Sequence, residues 1–65
     1  MNKTIDYLKL REATGLDEAA FANELGVTPE LVIGWETGIL PPTAIEQKKI
    51  FALVKKITEH GQNLS

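Results

Sequence analysis

The sequence predicts a small all-α protein, a four-helix bundle formed by one domain of 65 residues. Three observations lead to this fold class. Apolar residues recur at spacings of three and four along four separate segments, which is the period of an amphipathic helix. Capping residues, glycines or prolines bound each of these segments. No segment shows the strict alternation of polar and apolar residues that is typical of a strand.

The first two helices are expected at about residues 4–14 and 17–25. Gly15 ends the first helix. Asp17 is a good N-cap for the second, because its carboxylate can accept a hydrogen bond from a free backbone N–H. Gly26 ends the second helix in the left-handed conformation, which only glycine adopts at little cost.

The third helix is expected at about residues 29–37, and three signals mark its start. Thr28 is a favourable N-cap, Pro29 suits the first helical position, and Glu30 meets the positive end of the helix dipole. Gly38 follows as the C-cap. The third helix is therefore separated from the second by a short turn.

The fourth helix is expected at about residues 44–60. Pro41 and Pro42 keep the connector before it extended. Thr43 and Glu46 have the spacing of a capping box, in which each side chain bonds the backbone N–H of the other residue. The apolar stripe of this helix is wide, so it either covers the first helix or pairs two copies of the chain.

Charge is distributed unevenly along the chain. No Lys or Arg occurs from residue 12 to residue 47, although the net charge of the whole chain is only −2. Acidic residues in first helical turns stabilise helices, which accounts for some of the carboxylates in this segment. Seven carboxylates lie there: Glu12, Asp17, Glu18, Glu24, Glu30, Glu36 and Glu46.

Several short motifs resemble one known family. They are Leu10-Arg11-Glu12, Gly15-Leu16, Phe21-Ala22, Leu25-Gly26-Val27-Thr28, Trp35-Glu36 with Gly38, and Pro42. Together these motifs resemble the Cro/C1-type helix-turn-helix domains, also called the XRE family, which occur in phage repressors, restriction controllers and antitoxins. The resemblance covers about residues 7–42 and implies a four-helix bundle of the lambda-repressor-like helix-turn-helix type. The long last helix is similar to that of HigA-type antitoxins.

The resemblance also implies which residues contact DNA. In such domains the N-terminal part of the third helix enters the major groove, and the starts of neighbouring helices touch phosphates. Glu30 could accept a hydrogen bond from a cytosine amino group, whereas Gly34 has no side chain with which to read a base. The implied DNA-binding positions are Glu18, Thr28, Pro29, Glu30, Leu31, Gly34, Thr37 and Thr43.

A structural ion pair is implied as well. The helix 1 arginine of this family commonly bonds the glutamate at the end of helix 3, and these residues are here Arg11 and Glu36. A bidentate pair would tie the first helix to the turn after the third. Arg11 would then be unavailable to a phosphate.

Apolar residues near the same surface suggest a second kind of site. Ile33 should point partly outward, since Val32 and Trp35 take the inward face of the third helix. Ile39 and Leu40 lie on the connector with little helix beneath them. Exposed apolar patches commonly mark protein interfaces, so Ile33, Ile39 and Leu40 are a possible protein-binding surface.

Two functions follow from these observations. The first is a DNA-binding transcriptional regulator of phage-repressor or antitoxin type, cytoplasmic and acting as a homodimer on double-stranded DNA. The alternative is an acidic protein-interaction module on the same scaffold, such as an antirepressor or a docking domain. Enzymatic activity, cofactors and metals are not expected, because the chain has no cysteine, one histidine and no phosphate-binding loop. No apolar segment reaches the roughly 20 residues of a membrane span.

Overall fold

Four helices make up the described part of the chain. The computed structural model describes the backbone of residues 5–62 and the side chains of residues 5–59, and this part contains no strand. The all-α fold class is therefore confirmed. None of the helices is long and apolar enough to cross a membrane. In chain order they are α1 (Tyr7–Thr14), α2 (Glu18–Leu25), α3 (Pro29–Thr37) and α4 (Ala44–Gln62).

Helix α1 begins later than predicted. The expected start at Thr4 lies outside the described residues, but Asp6 is the N-cap and the helix begins at Tyr7. The Asp6 carboxylate accepts a hydrogen bond from the backbone N–H of Lys9 at 3.1 Å. Helical spacing of apolar residues around Ile5 concealed this capping signal, and the prediction of an earlier start was wrong.

Helix α4 ends later than predicted. It continues through Gly61 to Gln62, two residues beyond the expected end at about residue 60. Glycine within a helix costs about 1 kcal/mol relative to alanine, which weakens the last turn without ending it. The side chain of His60 lies outside the described ones.

The turn between α2 and α3 is fixed by backbone geometry and by one cap. Gly26 adopts a φ of +76°, as predicted, and its N–H donates to the carbonyl of Asn23 at 3.2 Å. The Thr28 hydroxyl oxygen accepts from the N–H of Leu31 at 3.3 Å, which confirms Thr28 as the N-cap of α3. The three residues 26–28 therefore set the direction in which α3 leaves α2.

The core joins α2, α3 and α4. Helix α2 packs against α3 and α4, and α4 also packs against α1. Of the two alternatives for the apolar stripe of α4, the structure favours covering the chain's own helices, because Ile50 is fully buried and Leu53 and Val54 pack against the same core. The fully or nearly fully buried residues are Phe21, Ala22, Leu25, Val32, Trp35 and Ile50.

The predicted capping box at the start of α4 is confirmed. The hydroxyl oxygen of Thr43 accepts from the backbone N–H of Glu46 at 3.1 Å, and the Glu46 carboxylate accepts from the N–H of Thr43 at 2.8 Å. Both groups are therefore occupied within the chain. This exchange holds the first turn of α4 against the end of the proline connector.

Replacing Thr43 with alanine should lower the free energy of unfolding by about 1 kcal/mol, because one backbone N–H loses its cap. Urea denaturation followed by circular dichroism measures this change. Thr58→Ala is the control, since the Thr58 hydroxyl donates to the Val54 carbonyl inside α4 at 2.9 Å and caps nothing. Equal losses in the two variants would contradict the role of the capping box.

Candidate nucleic-acid interface

The N-terminal end of α3 is open to solvent. The side chains of Thr28, Pro29 and Glu30 are all exposed. Leu31 is half-buried and packs against the core. Of the four positions predicted to contact DNA at this end, three are therefore accessible, and the fourth is shared between the surface and the core. We call residues 28–31 the leading end of α3.

The three threonines at predicted contact positions differ in the hydrogen bonds they can still make. Thr28 and Thr43 use their oxygens as acceptors in caps, so their O–H groups can still donate to a phosphate. The Thr37 hydroxyl instead donates to the carbonyl of Ile33 at 2.9 Å. Phosphate oxygens only accept hydrogen bonds, so Thr37 in this arrangement has no proton left to give them.

Carboxylates already occupy helix N-termini that could attract a phosphate. Asp17 accepts from the N–H of Ala20 at 2.8 Å at the start of α2, as predicted for an N-cap. Glu46 accepts from the N–H of Thr43 at the start of α4. A phosphate bound at either helix end would have to replace a carboxylate. The backbone N–H groups at these two helix ends are therefore poor phosphate donors, whereas the Thr43 O–H group is still free to donate.

The predicted pair of Arg11 and Glu36 forms in a largely buried position. Arg11 Nε donates to Glu36 Oε2 at 2.6 Å and Nη2 donates to Oε1 at 3.2 Å, with the two side chains 11% and 8% exposed. Arg11 Nη1 also donates to the carbonyl of Leu16 at 3.1 Å. The guanidinium therefore fastens α1 to the α1–α2 turn and to the end of α3, and it is not available to DNA.

Glu18 belongs to the same cluster. Its Oε2 lies 3.6 Å from Arg11 Nη2, and its side chain is 44% exposed. The sequence did not reveal this contact, although the acidic first residue of α2 lies close along the chain to Leu16, which also bonds Arg11. Part of the role of Glu18 is therefore structural, and one guanidinium faces two carboxylates.

The environment of Arg11 keeps the guanidinium charged. The hydrogen bond with Glu36 raises the pKa of Arg11 above its ordinary value, although burial lowers it. The negative charges of Glu36 and Glu18 raise the pKa of Arg11 further. A raised pKa contributes stability that is fully present below the ordinary pKa of arginine and is lost only at still higher pH. The arginine side of this pair is therefore insensitive to pH around neutrality.

Gly34 lies beneath the connector. The backbone N–H of Leu40 donates to the Gly34 carbonyl at 3.2 Å, and a Cβ at Gly34 would lie 3.3 Å from the Cβ of Leu40. A Cβ at this position would therefore be tightly packed against Leu40. Gly34 was predicted as a DNA-contact position; Leu40 packs on it, and the residue stays partly exposed.

The predicted apolar surface is exposed. Ile39 is 81% exposed, and Ile33 and Leu40 are each about half exposed. Leu40 is held on Gly34, which follows Ile33 in α3, and Ile39 precedes Leu40 in the connector. We call Ile33, Ile39 and Leu40 the apolar patch.

A groove that the sequence did not predict lies at the opposite end of α3 from Thr28. It has a volume of about 420 Å³ and is lined by Tyr7, Trp35 and the two connector prolines, among others. Gln47 Nε2 donates to the Tyr7 hydroxyl oxygen at 3.0 Å beside it. The buried Nε1 of Trp35 has no hydrogen-bond partner among the side chains and backbone described.

No family model, no curated protein and no solved structure matches this chain. Within residues 5–59, no three His, Cys, Asp or Glu side chains come close enough together to hold a metal ion.

Proposed function

We propose that the protein is a DNA-binding transcriptional regulator of the Cro/C1 helix-turn-helix type that acts as a homodimer. The observation that carries this proposal is the exposed leading end of α3, which follows α2 after a turn of three residues. The close packing of α2 and α3 through Phe21, Val32 and Trp35 supports it further, because it gives the reading helix a rigid base. The motifs that resemble those of the XRE family favour the same function.

In this proposal the leading end of α3 enters the major groove. Glu30 accepts a hydrogen bond from a cytosine amino group, and the apolar surface of Pro29 contacts a thymine methyl group. The hydroxyls of Thr28 and Thr43 donate to phosphates and set the position of the helix on the duplex. Specificity would come from few contacts, because the reading surface is small and uncharged apart from Glu30.

The charge of this surface limits the affinity of one copy. Each phosphate neutralised by Lys or Arg adds to affinity through counterion release. The segment from residue 12 to residue 47 has no such residue, and Arg11 is held by Glu36. Two linked copies on two half-sites one helical turn apart would multiply this weak affinity, which is why we propose a dimer.

The double variant E18Q/E30Q tests the proposal. Removing two carboxylates near the phosphates should tighten binding to a random-sequence duplex pool roughly fivefold, at about 0.5 kcal/mol for each repulsive charge removed. Fluorescence anisotropy at about 50 mM and about 200 mM salt measures the affinity and its salt dependence. The fold is expected to survive, since Arg11 keeps both hydrogen bonds to Glu36.

Glu24→Gln is the matched control for this experiment. Glu24 is an exposed glutamate of α2 that is not among the predicted contact residues, so its replacement should change duplex affinity less. The proposal fails if the unaltered chain retains no duplex at about 50 mM salt and E18Q/E30Q does not restore retention. It also fails if E24Q tightens binding as much as the double variant.

A second function is favoured by one observation, the apolar patch. An acidic protein-interaction module would use Ile33, Ile39 and Leu40 as its contact surface, with Glu30 one turn before Ile33 on α3. Patches of this kind are typical of protein interfaces. Such a module would bind no duplex at about 50 mM salt, whether or not Glu18 and Glu30 carried charge.

A further inference from the structure

The outward face of α4 carries four exposed lysines around one small residue. At 100° per residue, the positions of the four lysines and of Ala52 fall within an arc of about 120° around the helix axis, with Ala52 near the centre of the arc. The helix rise places one lysine pair about 10 Å from the other along the axis. We call these residues the lysine face: Lys48, Lys49, Ala52, Lys55 and Lys56.

The fold does not need these lysines. The opposite side of α4, with Ile50, Leu53 and Val54, supplies the contacts to the core. On this face Lys55 Nζ lies 4.0 Å from Glu59 Oε2 in an ion pair, and both side chains are largely exposed. Such a pair contributes little to stability. Glu59 reduces the charge of this face, but a clear positive excess remains.

We propose that the lysine face binds the phosphate backbone of double-stranded DNA. This inference rests on the proposed function, from which it takes double-stranded DNA as the partner. It assigns the phosphate contacts to a different surface from the leading end of α3. Duplex DNA presents one negative charge per about 1.7 Å of axis, so a row of lysines can neutralise several phosphates at once. The small side chain of Ala52 allows the backbone of a partner to come close to the helix.

Two features of the rest of the described chain favour DNA as the occupant of this face. Few other cations could bind a phosphate backbone, and many carboxylates of a second copy already have partners. The other cations with described side chains are Lys9 and Arg11, and Arg11 is held by Glu36. Many carboxylates of a second copy are already used within their own chain, as N-caps or in the Arg11 cluster. A phosphate backbone has no such internal partners and releases counterions when it binds lysine.

The variants A52E and A52Q test the proposal with side chains of nearly equal size, both of which favour helix. The full chain is titrated into a labelled random-sequence duplex and followed by fluorescence anisotropy. Ala52→Gln should bind like the unaltered chain. Ala52→Glu should bind about tenfold more weakly at about 50 mM salt, because its carboxylate cancels about one phosphate contact, and its salt slope should be shallower by about 0.9.

A second pair of variants tests whether the salt dependence comes from the lysine face or from the net charge of the chain. Lys49→Gln should make the salt slope shallower by about 0.9, whereas Lys9→Gln, which removes an exposed charge on α1, should leave it unchanged. Equal binding by A52E and A52Q, or equal slopes for K49Q and K9Q, would overturn the proposal. Displacement of the duplex by poly-L-glutamate as effectively as by unlabelled DNA of equal charge would also overturn it, in favour of an acidic protein.

The two proposals fail in different ways. If A52E weakens binding but E18Q/E30Q does not change it, the lysine face stands and the leading end of α3 is not the contact surface. If E18Q/E30Q tightens binding while A52E and A52Q behave alike, the regulator proposal stands and the lysine face is not used. Circular dichroism of each variant shows whether its helices are intact.

Discussion

Replacing Arg11 with methionine is expected to lower the free energy of unfolding by about 3–5 kcal/mol. The substitution leaves the Glu36 carboxylate, which is 8% exposed, without a partner, and the Leu16 carbonyl loses its donor as well. A folded chain of this length is stable by roughly 3–10 kcal/mol, at about 0.05–0.15 kcal/mol per residue. Urea denaturation should therefore show a much earlier transition, or a largely unfolded variant without denaturant.

Lys55→Met is the matched control for this prediction. It breaks the exposed contact of Lys55 with Glu59, so it should cost less than about 0.5 kcal/mol. The double variant R11M/E36L should recover much of the stability lost in R11M, because it no longer buries an unpaired charge. A loss in R11M no larger than that in K55M would contradict a structural role for the pair.

Ile50→Ala should lower the free energy of unfolding by about 2–5 kcal/mol. Ile50 is completely buried, and it is the α4 member of the core cluster that holds Phe21 and Trp35. Its truncation leaves a cavity where α4 meets α2, so the attachment of α4 weakens. Thermal or urea unfolding measures the effect.

The graded variant Ile50→Val should cost about 0.5–1.5 kcal/mol, since it removes one methylene group and keeps most of the packing. A loss below about 1 kcal/mol in I50A would mean that the site is less tightly packed than the structure indicates. It would reopen the alternative that the apolar stripe of α4 pairs two copies of the chain.

The elements with local signals could be predicted from the sequence. Asp17, Gly26 and Thr28 act through bonds to residues within a few positions, so their roles follow from residue type and spacing. The capping box of Thr43 and Glu46 is local in the same way. Asp6 carries an equally local signal, but the apolar spacing around it suggested an earlier helix start.

The contacts of the candidate site depend on tertiary structure and were harder to predict. The pair of Arg11 and Glu36 spans 25 positions, and only the family resemblance suggested it. The packing of Leu40 on Gly34 depends on how the connector folds back over α3, for which no local pattern exists. A sequence shows that Gly34 lacks a side chain, but not which neighbour uses the space.

The charges of the chain divide between two surfaces. The leading end of α3 offers one exposed carboxylate and no cation, while the outward face of α4 offers four lysines. The two proposals assign base contacts to α3 and phosphate contacts to α4. The salt dependence of binding reports on the second surface, and base preference reports on the first.

The most direct test of the central claim is a titration of the isotopically labelled chain with a random-sequence duplex, followed through its backbone amide signals by NMR. If the leading end of α3 contacts DNA, the amide signals of Thr28, Glu30 and Leu31 will be among those that shift most as duplex is added. If those signals stay in place while the duplex is in excess, the leading end does not contact DNA and the proposal that this protein reads duplex DNA through α3 is wrong.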